Sequence, residues 1–210
     1  MGLERAASIQ QGVISVYETD GYQAIMDWIA AESGVAFGES EKATKAHRIL
    51  ADHGRGTTFL VADGVTPSNE NRGYVLRRII RRAVIQAQRI GLAALHPLTG
   101  VVVEQMGHAY PELRERADEI EQVVRTEEER FQETLDRGMK LFEELASQGP
   151  ISGEDAFTLA ATYGFPLELT VELAEERGRA VDVDGYHAEM ERHRDVSRAG
   201  VEGDVQRAAE

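Results

Sequence analysis

Apolar positions in this chain recur mostly at helical spacing, and turn residues punctuate them. In GYQAIMDWIAAESG, Ile25, Trp28 and Ile29 fall at i, i+3 and i+4, and Gly34 supplies the stop. Leu3 to Gln11 reads as a shorter helix with Ala6, Ala7 and Ile9 apolar, closed by Gly12. A longer pattern runs from Ser40 to Asp63, with Ala43, Ala46, Ile49 and Leu50 on one face. Gly54 and Gly56 interrupt it, each costing about 1 kcal/mol against alanine in a helix interior, so a break or kink is expected there.

Asp63, Gly64, Pro67, Ser68 and Asn69 form a turn cluster, since glycine admits positive φ, proline fixes φ, and Asx side chains bond nearby backbone. After Gly73 a helix is predicted with Leu76, Ile79, Ile80, Ala83 and Val84 inward, stopping at Gly91. The apolar run Val101 to Val103 is too short to assign between strand and helix end. Pro111 then opens a long helix whose stripe is Leu113, Ile120, Val123, Val124, Phe131, Leu135, Met139, Phe142 and Leu145. The glutamates on its outer face read as a solvated surface with arginine partners at i, i+4. Gly149 and Pro150 end it. Ser152 with Asp155 resembles a capping box opening a helix through Ala161. Further helices are predicted from about Glu168 to Arg177 and beyond Asp184, with a frayed tail at 200–210. The expected fold is all-α, an irregular, elongated multi-helix array. A division near Gly149 would separate 1–149 from a smaller helical part at 150–199.

Composition narrows the chemistry. The chain is 42% apolar and 29% charged and has no cysteine, which removes disulfides and thiolate metal sites. MGLERAAS lacks a basic region followed by an apolar run, and no window approaches the roughly 20 apolar residues of a membrane helix. A cytoplasmic, non-membrane protein is expected. The six histidines show no HExxH and no i, i+4 pair, and neither GxSxG nor a Walker phosphate loop occurs. No catalytic set and no metal site is assigned.

Charge gives the positive lead. The formal net charge is −14, yet between Asn71 and Arg89 stand Arg72, Arg77, Arg78, Arg81, Arg82 and Arg89 with no Asp or Glu. Guanidinium groups bridge phosphates bidentately, and the amides of Asn69 and Asn71 carry both donor and acceptor groups for a base edge. In A-form RNA the wide, shallow minor groove lets a loop-borne amide reach base edges. The alternative is that these arginines pair with the chain's own surplus acids. Charge alone leaves both readings open.

Four ordered segments tip the balance: GLERAASIQQGV (2–13), ADHGRGTTFLVADGVTPSNENRGYVLRRIIRRAV (51–84), YPELRERADEIEQVVRTEEERFQETLDRG (110–138) and SGEDAFTLAATYGFPLELTVELAEERG (152–178). Together they resemble alanyl-tRNA synthetase, in the helical tRNA-recognition region between the class II catalytic core and the editing domain. The resemblance implies 1–149 as the region recognising the tRNA acceptor stem, whose G·U wobble pair marks tRNA for alanine. Asn69 sits where the base-reading asparagine is expected, with Asn71, Arg72, Arg77, Arg78, Arg81 and Arg82 beside it as tRNA-binding candidates. Arg5, in GLER, resembles the motif 3 arginine that holds ATP phosphates. The family's ATP and magnesium are bound by the sheet with motifs 1 and 2, which lies upstream of the matched region. The implied partners are therefore a tRNA acceptor stem and the remaining synthetase domains. A noncatalytic scaffold contacting protein is the alternative.

One departure bears on recognition. Where that family typically reads YDTYGFP, this chain reads AATYGFP, with Ala160 and Ala161 replacing the tyrosine and the aspartate that would join the asparagine at the wobble pair. Methyl groups accept no hydrogen bond. Loss of a carboxylate contact is worth about 1.5–3 kcal/mol, so weakened discrimination is expected.

Overall fold

The computed structural model describes residues 2–194, and these are helical apart from connections and one isolated β-bridge. The all-α expectation holds over them. The described residues fall into two compact units, divided between Arg130 and Phe131. The tail at 200–210 and the end of the last predicted helix lie outside the described residues.

In the first unit, α1 (Leu3–Gln11) ends at Gly12, whose φ of 67° lets its N–H and that of Val13 close on Ile9 and Ser8 carbonyls. A short 3-10 turn (Val16–Glu18) leads to α2 (Asp20–Ser33), which buries Tyr22, Ile25, Met26 and Ile29, with Trp28 half-buried at the edge of that face. Arg55 of α3 (Glu41–Ala62) pairs with Glu4 at 2.7 Å and lies 4.3 Å over the Tyr22 ring, tying α1 to α2 and α3. Burial, despite the nearby Arg55, pushes the Tyr22 hydroxyl up to about 12, so it stays protonated.

α3 is unbroken through Gly54 and Gly56, contrary to the expected kink. The reason for Gly54 is contact: a Cβ there would stand 2.5 Å from Leu98 Cδ2, a side chain wholly buried on α5 (Leu98–Met106). Gly56 has open space around it. Gly54→Ala is therefore expected to destabilise by about 1–2 kcal/mol, overpacking outweighing the gain in helix propensity. Gly56→Ala should stabilise by roughly 0.5–1 kcal/mol, and urea unfolding of the two variants measures the opposite signs.

α4 (Asn71–Arg89) begins three residues before the predicted start after Gly73, and buries Leu76, Ile80, Ala83, Val84 and Ile85. The run Val101 to Val103 belongs to helix α5. Pro111 opens only a short helix, α6 (Pro111–Glu115). The chain leaves helical geometry at Arg116 (φ −115°), whose guanidinium reaches back to the Ala62 carbonyl at the end of α3 and to Glu119. The long helix is α7 (Ala117–Gln148).

In the second unit, the rear of α7 contributes Phe131, Leu135 and Phe142 to a core with Leu159 of α8 (Gly153–Tyr163) and Leu169 and Leu173 of α9 (Leu167–Glu175). Phe165, in the α8–α9 connection, packs edge-on against Phe131 with ring centroids 5.6 Å apart. Gly138 permits this approach, because a Cβ there would overlap the Phe165 ring. Ser152 caps α8 by accepting from the Asp155 N–H at 3.1 Å, as its sequence predicts. A parallel bridge between Ile151 and Val181 precedes α10, helical over 183–194.

Candidate nucleic-acid interface

The segment that carries the charge is built on a tight turn. Residues 66–70 fold back over the first turn of α4, and buried Gly73 lets them do so. A Cβ on Gly73 would lie 2.5 Å from the Thr66 carbonyl oxygen and overlap Ser68 Oγ. Ser68 Oγ donates to the Glu70 carbonyl at 2.9 Å, holding the bend. Asn71 is at φ 51°, a left-handed conformation asparagine tolerates better than most residues. Asn69, Asn71 and Arg72 are all exposed.

α4 is divided by what its arginines face. Glu127 of α7 is 2% exposed, a carboxylate needing an opposite charge. Its Oε1 accepts from Arg81 Nε at 2.7 Å, and Arg81 Nη2 lies 2.6 Å away. Arg77 Nε is 3.2 Å from the same oxygen, an ion-pair distance without hydrogen-bond alignment. Burial pushes the Arg81 guanidinium below its usual value, and Glu127 opposes that shift. Pairing with the chain's own acids, held open from charge alone, is thus realised for Arg77 and Arg81. Arg77 also turns outward, its Nη1 donating to Asn69 Oδ1. Arg82 Nη1 lies 3.3 Å from His53 Nε2, and Arg78 is half-buried.

Glu128, also 2% exposed, accepts from the Leu95 and His96 backbone N–H groups at 2.7 and 3.0 Å, with His96 Nδ1 at 2.9 Å. Two successive acids of α7 thereby fix α4 and the entry to α5, on the inward side of a helix whose outer face is solvated. The apolar stripe held the signal: 127 lies three residues after Val124 and four before Phe131, so it is an inward position filled by a charge.

The remaining candidates lie elsewhere. Arg5 is exposed on α1, and Arg55, the nearby guanidinium, is engaged by Glu4 and the Tyr22 ring. Ala160 is half-buried and Ala161 exposed near the end of α8, in the second unit. Among the described residues no group of three or more His, Asp or Glu side chains could hold a metal ion, and no helix is long and apolar enough to cross a membrane.

A family model described as tRNA synthetases class II (A) matches residues 1–209. The chain belongs to that synthetase family. Its similarity to curated alanine-tRNA ligases is extensive: 49% identity over 204 residues with that of Stenotrophomonas maltophilia, covering 95% of this chain and 23% of the relative. With the Pelotomaculum thermopropionicum ligase it is 47% over 206 residues, 94% of this chain and 24% of the relative. With that of Acetivibrio thermocellus it is 44%, covering 94% and 23%. The chain spans about a quarter of the length of the curated relatives it matches. α7 supplies the buried charge that faces Arg77 and Arg81 of α4.

Proposed function

We propose that this chain is the tRNA acceptor-stem recognition region of an alanine-tRNA ligase, docking RNA through α4 and the loop before it. The observation that carries this reading is the juxtaposition of an acid-free arginine helix with an exposed Asn69 whose carbonyl is already engaged by Arg77. The exposed Arg72 grips a phosphate, with Arg78 further along the same helix as a second candidate, and together they set the register. Asn69 meets the base edges in the shallow A-form minor groove. Docking is stronger than discrimination between a wobble and a Watson–Crick pair, since Ala161 stands in the sequence where the resemblance implies a carboxylate. In the whole enzyme the ATP- and magnesium-dependent joining of alanine to tRNA, in the cytoplasm, would draw on groups beyond these residues.

The test is a salt titration with an acceptor-stem RNA hairpin. Arg72→Ala and Arg78→Ala are each expected to weaken binding to wobble and Watson–Crick hairpins alike. For Arg72→Ala, the slope of log K against log salt should fall by roughly 0.7–0.9, the loss of one phosphate contact. An unchanged slope would remove Arg72 from the phosphate-binding set. The scaffold reading has one observation in its favour: Leu3, Ile9 and Ile14 are exposed on or just after α1. Binding to neither hairpin at low salt would favour it.

A further inference from the structure

We propose that Glu127 is a positioning residue that acts through Arg77 to hold the Asn69 amide with its NH2 edge outward, so that Asn69 recognises hydrogen-bond acceptors. This deepens the RNA-binding reading and rests on it for the identity of the ligand. A guanidinium has donors only, so the amide group facing Arg77 must be the carbonyl oxygen, however the two amide atoms are assigned. That leaves the two Nδ2 hydrogens for a partner. Minor-groove acceptors fit them: a pyrimidine O2, a purine N3 or a ribose 2′ oxygen.

A surface amide held by one flexible arginine would gain little order, since a long side chain must itself be immobilised. Here the Arg77 chain is 20% exposed, and its Nε lies 3.2 Å from the buried Glu127 carboxylate. Arg81 occupies the same oxygen at 2.6 and 2.7 Å, fixing that carboxylate from a second side. The relay runs from α7 through α4 to the loop, wholly within the first unit.

The test is side-chain 15N relaxation of Asn69 in the full chain, without RNA and then with an acceptor-stem hairpin. In the unaltered chain the amide should be rigid, with an order parameter of about 0.8, and should fall below about 0.6 in both Glu127→Gln and Arg77→Met. Glutamine keeps the shape and one acceptor oxygen but loses the charge, while Arg77→Met leaves the Glu127–Arg81 pair intact. Both variants are therefore expected to fold, which their backbone spectra check. An amide equally mobile in the unaltered chain, or still rigid in either folded variant, would overturn the proposal. If the mobility pattern holds but the hairpin leaves the Asn69 NH2 resonances unmoved, the positioning relay stands and the RNA-binding reading fails.

Discussion

Replacing Glu127 by alanine is expected to cost the first unit about 3 kcal/mol, because it removes a buried carboxylate that faces two guanidinium groups. Arg81 has a side chain only 13% exposed and cannot recover its lost partner from water without opening the α4–α7 contact. For a unit of this size that loss lowers the thermal midpoint by roughly 10 °C. The neighbouring Glu129→Ala is the control: its side chain is exposed, and the change should stay within about 0.5 kcal/mol of zero. Calorimetry of the two variants separates a buried electrostatic tie from the ordinary surface charge that the long helix displays elsewhere. Equal midpoints would mean that Arg77 and Arg81 reach solvent freely and that the tie contributes nothing.

The Gly73→Ala variant should separate recognition from docking. The added methyl meets a backbone oxygen, that of Thr66, rather than the end of a flexible side chain, so the loop itself must move. Overpacking of this kind costs about 1–3 kcal/mol. The displacement carries Asn69 out of reach of Arg77 while leaving the buried face of α4 in place. The expected result is a hairpin affinity with an unchanged salt slope but without whatever base-pair preference Asn69 supplies. Retention of that preference in the variant would place the reader somewhere other than this loop.

Much of the fold was legible because local signals agreed with tertiary demands. Gly12 and Gly34 end helices where their positive φ is needed, and Ser152 caps α8 as its spacing with Asp155 implies. The failures share a cause, a contact between segments distant in sequence. Gly54 looked like a helix breaker, but it is where Leu98 packs. Gly73 looked like the residue before a helix, yet it lies inside the first turn because the preceding loop needs room to lie on it. Pro111 opens a short helix rather than the long one, since Arg116 interrupts the chain and reaches the end of α3.

The candidate site was legible in outline and not in its wiring. The arginine-rich run and the exposed asparagine follow from sequence, but six arginines of equal appearance have different surroundings once α7 is beside them. Composition made Glu127 and Glu128 two of many acids; only their place in the apolar stripe marked them as inward. Asn69 and Arg77 are separated by eight residues across a turn, a distance at which no helical spacing rule applies.

On the proposed reading, α4 and its loop bind an RNA acceptor stem. The most direct test of that reading is fluorescence anisotropy of the full chain with two hairpins differing only in a G·U or G·C pair, across a salt series. Binding to both hairpins, weakening steeply with salt and showing at most a modest preference for G·U, is the predicted result. Absence of binding to either hairpin at low salt would contradict it.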